Sequence, residues 1–142
     1  MGTVRAVCTS AEKGTAKRDA GRAELVARHG IKGDAHAGGG DRQVSLLSLE
    51  KIEAFRGKGA DVTYGDFGEN IVAEGIDFAA LSIGTKLRCG EALLQITQIG
   101  KECHSRCAIY HRMGDCIMPR EGTFAIVLQS GVVQTGDAIH AE

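Results

Sequence analysis

Proline, tryptophan and aromatic rings in general are scarce in this chain, which has one proline, no tryptophan, four phenylalanines and two tyrosines in 142 residues. A core must therefore be assembled from Val, Ile, Leu and Ala. An excess of either charge is lacking too. Seventeen basic residues face eighteen acidic ones, for a net charge of -1. There is thus no broad cationic surface, and duplex nucleic acid held by phosphate neutralisation is not an expected partner. No apolar run is long: Phe78 to Leu81 and Ala92 to Leu94 fall far short of the ~20 residues that span a bilayer. The start, Met1 to Cys8, has no charged region followed by a long apolar one, so no signal peptide is expected. These absences predict a cytoplasmic protein with no membrane partner. Repeats, low-complexity tracts and linkers are missing as well. The length is that of one ordinary domain, so residues 1–142 are expected to form a single one.

What the chain has in quantity is glycine, twenty residues of it, which predicts many tight turns between short strands. Residues 2–8 alternate, with Val4, Ala6 and Cys8 on one face, as in a first strand. A polar loop, Ser10 to Gly21, carries Lys13, Lys17 and Arg18, read either as a solvated face or as a contact for an anion. Residues 22–28 form a second candidate strand and Gln43 to Leu47 another. Ser48 is placed to cap a helix that shows Leu49, Ile52 and Phe55 on one face and ends at Gly57. Ile71 to Ala73 is a short strand, and Lys86 to Thr97 reads as a hairpin turning at Gly90-Glu91, with Cys89 inward beside Leu87. Gly122 to Gln129, Val132 to Gln134 and Ala138 to His140 are further strands. Short strands at close spacing predict a mainly β fold, a closed or partly closed barrel with a few short helices.

The chemistry concentrates in residues 102–116, which hold Cys103, Cys107 and Cys116 of the five cysteines and His104 and His111 of the five histidines. An odd number of cysteines in a reducing compartment argues against a disulfide framework and for a mixture of core thiols and reactive or metal-binding ones. Cys8 and Cys89 fit the core. Cys103 and Cys107 are spaced so that a helical turn would set them on one face. Lys101, His104 and Arg106 would raise the thiolate fraction that metal binding or nucleophilic attack requires. A structural zinc site would draw on Cys103, Cys107 and Cys116 with His104 or His111. It lacks the paired two-residue spacing of common zinc folds, so zinc ranks behind a thiolate ligand for a transition-metal cofactor or a sulfur-carrying cysteine. Three ordinary loop thiols are the bland alternative, and nothing supplies the orienting partner of a Cys-His protease.

Two glycine-punctuated stretches complete the inventory. His29 to Gln43 places Lys32, Asp34, His36, Asp41 and Arg42 among glycines whose backbone amides would approach a ligand closely, and Arg42 offers a bidentate fork for phosphate or carboxylate. The stretch matches neither the phosphate loop nor the dinucleotide fingerprint. Asp34 and Asp41 capping turns, with His36 bonding the loop, is the structural alternative. In Tyr64 to Ile71, Glu69 and Asn70 sit where a loop enters a strand, either orienting a ligand or satisfying buried backbone.

Taken in order, Gly30-Ile31-Lys32-Gly33-Asp34-Ala35-His36-Ala37-Gly38 with Arg42-Gln43-Val44-Ser45-Leu46, then Gly65-Asp66-Phe67-Gly68-Glu69-Asn70-Ile71, then Ile83 to Gly90, and Ile96-Thr97-Gln98 leading into Cys103, resemble the MOSC family, named for the C-terminal domain of molybdenum cofactor sulfurases. The resemblance is to the stand-alone short bacterial type and implies a compact, strongly bent β-barrel. It also implies binding of the molybdenum cofactor (molybdopterin) and handling of the cofactor or its sulfur through a reactive cysteine. Reduction of N-hydroxylated compounds and a zinc-stabilised interaction module are the alternatives. The position of the family's cysteine lands on Cys103 by one carry-over and on Cys107 by another. Lys32, His36, Arg42, Asn70, Arg106 and Arg120 are the expected cofactor contacts. The chain carries Glu102 where the family commonly has a proline, and an additional stretch from Cys116 to Gly122. No sulfur-generating or electron-transfer domain accompanies it, so a separate sulfur or electron donor protein is implied. A homodimer is left open.

Overall fold

The computed structural model of the chain describes residues 2–10, 17–34, 37–38, 40, 42–57, 59, 63–65, 67, 69–100 and 122–142. Their strands are β1 (Gly2–Thr9), β2 (Arg18–Asp19), β3 (Arg22–Val26), β4 (Gly30–Ile31), β5 (Val44–Ser48), β6 (Ile71–Glu74), β7 (Lys86–Cys89), β8 (Ala92–Ile99), β9 (Thr123–Gln129), β10 (Gly131–Gln134) and β11 (Ala138–Ala141). One α-helix, α1 (Leu49–Arg56), and one 3-10 turn, Phe78–Ala80, complete the elements among the described residues.

The strands β11, β7, β8, β9, β5, β6 and β1 are hydrogen-bonded in that order, and β1 pairs back onto β11 through Gly2↔Ile139 and Thr3↔Ala138. The ring is closed, so its strands have no free edge to template association. All its pairings are antiparallel except β5 with β6. A parallel pair needs a crossover, and α1 supplies it. A small sheet, β10-β3-β4, is a separate ladder whose Leu25, Ile31 and Val133 pack into the same apolar layer as the ring interior. β10 therefore does not fold back on β9, as a turn at Ser130-Gly131 would suggest, but crosses to β3.

Side chains sort into two apolar layers. Val4, Val7, Val44, Leu46, Ile71, Ala73, Leu87, Cys89, Leu94, Ile96, Ala125, Val127 and Ile139 are among those of one, the barrel interior. Ala6, Cys8, Leu47, Val72 and Phe124 form the other with Leu49, Ile52 and Phe55 of α1 and with Phe67. Residues Val44 to Ser48 are buried throughout, because one face of β5 meets the interior and the other meets α1. Phe55 and Phe67 meet edge to face, ring centroids 5.6 Å apart, a favoured aromatic geometry.

Strand β1 departs from strict alternation. Val4 pairs with Ala73 but Ala6 with Val72, two residues against one. This β-bulge puts Val4 and Val7 inside and turns Ala6 and Cys8 to the helix layer, so Val4, Ala6 and Cys8 do not share a face. A second bulge in β8 sets Ile96 against Ala125 and Gln98 against Phe124. The helix starts at Ser48 as expected, but the Ser48 hydroxyl makes no cap bond. Its Oγ instead donates to the Ile76 carbonyl at 2.7 Å and accepts the Phe78 N–H at 3.2 Å, fixing the 3-10 turn to the barrel.

Candidate functional site

The bulge in β8 determines what stands at the end of that strand. Ile96 belongs to the interior, the extra residue Thr97 sends its hydroxyl to the Phe124 carbonyl at 3.2 Å, and Gln98 falls beside Phe124. Gln98 Oε1 then accepts the Arg42 Nε–H at 3.0 Å, and the Arg42 guanidinium lies 5.2 Å from the centre of the Phe124 ring. A guanidinium over a ring is attracted by its quadrupole. With Nε engaged and the planar group laid on Phe124, the two terminal nitrogens have no hydrogen-bond partner among the described residues. They form a preset fork for an anion. One residue beyond Ile99↔Thr123, the Gly100 N–H donates to the Gly122 carbonyl at 2.5 Å. The chain from 101 to 121, with its three cysteines, therefore leaves and returns beside the Arg42 platform.

Cys103, Cys107, His36, Arg106 and Arg120 lie outside the described residues. The remaining candidates, Lys32 and Asn70, have partners other than Arg42. Lys32 extends from the turn after β4, its side chain 74% exposed and its ammonium 3.8 Å from Glu24. Asn70 is fully buried. Its Oδ1 accepts the Ser45 N–H at 2.9 Å and its Nδ2 donates to the Cys8 carbonyl at 3.0 Å. Its own backbone adds bonds to Ser45 and Cys8. Asn70 thus stitches β1 to β5 where β6 begins, the geometry of the backbone-satisfying reading. Its neighbour Glu69 is also fully buried and accepts the Phe67 N–H at 3.0 Å.

Two cysteines are described, and both are core thiols as expected. Cys8 and Cys89 are fully buried. Burial pushes the Cys89 thiol up from 9.0 to about 12, with the Asp137 carboxylate adding to the effect. A thiol held neutral in this way is neither a nucleophile nor a metal ligand near neutral pH. The described residues contain no group of three or more His, Cys, Asp or Glu side chains arranged to hold a metal ion.

Sequence reasoning missed the partners Gln98 and Phe124, and it missed a buried ion pair. Lys17 Nζ lies 2.8 Å from Asp34 Oδ1 with the two side chains 1% and 0% exposed. Lys17 is therefore not on a solvated face, and Asp34 does more than cap a turn. The two stand 17 positions apart in the chain, so no local spacing rule could pair them. The departure from alternation at Ile96 and Ile99 was the available signal for the bulge that aims Gln98 outward.

A family model, the MOSC domain, matches residues 33–140. The YuaD protein from Bacillus subtilis superimposes with a TM-score of 0.80 at 20% identity, covering 98% of this chain and 94% of that one. YiiM from Geobacillus stearothermophilus gives 0.77 at 20% identity, covering 100% and 75%. YiiM from Escherichia coli gives 0.65 at 19% identity, covering 99% and 69%. At these identities the likeness is one of fold. No curated protein matches the chain. Among the described residues no helix is long and apolar enough to cross a membrane.

Proposed function

This chain belongs to the MOSC domain family, which is associated with molybdenum cofactor binding and sulfurase-related function, and on that premise we propose that it binds the cofactor and handles it or its sulfur through Cys103 or Cys107. The observation that carries the reading is the preset fork of Arg42 beside the root of the cysteine-bearing segment. Chain connectivity supports the pairing: Cys103 is three positions on from Gly100, so its Cα stays within ~11 Å of that of Gly100 whatever path the backbone takes. The elimination of Cys8 and Cys89 as core thiols leaves the work to that segment.

The residues fit the group in part. The pterin's phosphate is an anion that a guanidinium fork holds well, and the terminal nitrogens of Arg42 are proposed to hold it. Lys32, His36, Arg106 and Arg120 are proposed as further cationic contacts, while Asn70 keeps the strands beneath them in register. The cofactor, when bound, supplies a redox-active metal suited to a soft thiolate. The chain's own part is to bind the phosphate, hold the thiolate and present the ensemble to a separate sulfur or electron donor protein.

Elemental and pterin analysis of gently purified protein tests this. Molybdenum and pterin are expected together. Loss of both on Cys103→Ala, with retention in Cys107→Ala, assigns Cys103, and the reverse assigns Cys107. Arg42→Ala is expected to weaken pterin binding by about 10- to 100-fold, the loss of one or two charge-assisted hydrogen bonds. Stoichiometric zinc with no pterin overturns the proposal. Turnover of an N-hydroxylated base with an artificial electron donor, abolished by the same cysteine substitution, would extend the role from carrier to reductase.

A further inference from the structure

We propose that the buried Lys17–Asp34 ion pair is a latch that positions the loop carrying Arg42. The two residues come from different connections at one end of the barrel. Val7 pairs with Ile71, so the end of β1 meets the start of β6, and β5, parallel to β6, starts at the same level. Lys17 lies between β1 and β2 and Asp34 between β4 and β5. Their ion pair, at 2.8 Å, also engages Ser10 at the end of β1. Asp34 Oδ1 accepts the Ser10 N–H at 3.0 Å, and Lys17 Nζ reaches Ser10 Oγ at 3.4 Å. A third connection, from α1 to β6, is included: the Lys17 N–H donates to the Gly65 carbonyl at 2.9 Å. Gly65 sits at a φ of +94°, and a Cβ on it would run into the Lys17 carbonyl.

From Asp34 the constraint runs on to Arg42. The Asp34 carbonyl accepts the Ala37 N–H at 3.1 Å, and the Gly38 N–H donates to the His29 carbonyl at 2.7 Å. Gly30, at a φ of +119°, leaves no room for a side chain against Gln43 and Ala37. Gln43 Oε1 accepts the Val127 N–H at 3.1 Å, and Arg42 is the next residue. The connection is thereby pinned at its start by the ion pair, at Gly38 by a backbone bond and at its end by Gln43.

An ion pair this deeply buried is a poor means of stabilising a fold, because the cost of desolvating both charges offsets much of their attraction, and apolar side chains of similar volume do as well. What it supplies is direction. Removing either charge leaves the other buried with its 2.8 Å counter-charge gone, so the connections that carry Lys17 and Asp34 are coupled through the pair. Lys17 and Asp34 are on this view positioning residues for Arg42, whichever anion Arg42 meets.

The test uses the whole chain carrying Lys17→Met, Asp34→Asn or both, with amide hydrogen exchange and the nuclear Overhauser contacts between the Arg42 side chain and the Phe124 ring as readouts. Each single variant is expected to speed exchange at Ser10, Ala37 and Gly38 by at least about tenfold while Leu94 and Ile139 in the barrel stay protected. The Arg42 to Phe124 contacts should weaken in parallel. The double variant removes the uncompensated charge. It is therefore expected to melt close to the parent protein yet to keep the fast loop exchange and the weakened contacts, a split that a purely stabilising pair would not produce. The double variant also decides the matter if a single variant fails to fold. Parental loop protection in the double variant, or acceleration by one common factor at every amide including Leu94 and Ile139, would overturn the latch.

Discussion

Replacing Asn70 by Ala would remove a side chain whose two amide atoms are the partners of backbone groups on different strands, the Ser45 N–H on β5 and the Cys8 carbonyl on β1. Asn70 has no exposure to solvent, so water cannot replace either bond without opening the barrel. The buried Ser45 N–H left unpaired costs about 1–3 kcal/mol, and the bond lost at the Cys8 carbonyl about 0.5–1.5 kcal/mol more. Together they give a loss of roughly 1.5–4.5 kcal/mol, or about 6–18 °C in Tm for a domain of this size. Asn70→Asp separates the two bonds. It keeps the acceptor for Ser45 but sets a carboxylate against the Cys8 carbonyl, which favours the protonated acid. The folded-state pKa of that carboxyl would then lie above its unfolded value, so the stability of the Asp variant is present below about pH 4 and is lost as pH rises through the folded value. Urea unfolding at several pH values is the assay. Its expected pattern is an Ala variant weakened at every pH and an Asp variant that approaches the parent protein only in acid. An Ala variant within about 1 kcal/mol of the parent would refute the stitch, since a buried N–H left unpaired and a lost carbonyl bond together cost more. If that variant also lost pterin binding selectively, Asn70 would instead be a ligand contact.

Other substitutions and conditions give separate checks. Arg42→Gln should shift unfolding by less than about 1 kcal/mol, because an exposed cation–π contact contributes only ~0.5–1 kcal/mol, while any anion affinity falls; calorimetry and binding measured side by side make the comparison. Native protein treated with a thiol reagent at neutral pH should leave Cys8 and Cys89 unmodified, as mass spectrometry of the labelled peptides would show, whereas fast labelling of Cys89 would contradict its burial. The folded-state pKa of Cys89 is raised from 9.0 to about 12. Its contribution to stability is therefore complete below pH 9 and declines as pH climbs through that window, by up to about 4 kcal/mol if the full shift is realised. Cys89→Ala should flatten the alkaline limb of the stability curve. Gly65→Ala should destabilise by at least ~1 kcal/mol, since it imposes a side chain on a left-handed backbone and against the Lys17 carbonyl.

Much of the barrel was legible because local rules and tertiary packing agree there. The hairpin of β7 and β8 turns at Gly90-Glu91, Leu49, Ile52 and Phe55 are the buried face of α1, and Cys8 and Cys89 are core thiols. Misreadings occur where one extra residue changes the face. Arg5 in β1 is opposed by no residue of its own in β6, and that single insertion sends Ala6 to the helix layer while Val4 stays inside. The recurrence of apolar residues at Val4 and Val7, and at Ile96 and Ile99, is a strand signal for a bulge and was open to view. Ser48 shows a different limit. Its position at the start of α1 was readable, but the use of its hydroxyl by Ile76 and Phe78, residues reached through the crossover, was not. The same holds for the site. Arg42 stood out by residue type, yet Gln98, 56 positions away, and Phe124 become its neighbours only through the pairing of β8 with β9.

On the proposed function, the closure of the ring explains why the chemistry is assigned to connections and not to strands. A closed barrel satisfies the backbone of every strand and buries their inward side chains. The two thiols carried by the described strands are both buried, Cys89 in the interior and Cys8 against the α1 layer, and so are removed from reactivity. On the proposed function a reactive thiol sits where the backbone leaves the ring, and the longest connection with no described element lies between Gly100 and Gly122, which are joined by a hydrogen bond at its base. Arg42 is brought to that base from a different connection, and the bulge at Thr97 turns Gln98 to receive it. Distance along the chain then distinguishes the two candidate cysteines. Cys103 is bound by connectivity to within ~11 Å of Gly100, whereas Cys107, seven residues on, has a limit of ~25 Å and owes any proximity to the fold of the segment itself. A thiol that must act beside Arg42 in every conformation of the segment is better placed at 103. One that must move between Arg42 and a donor protein is better placed at 107.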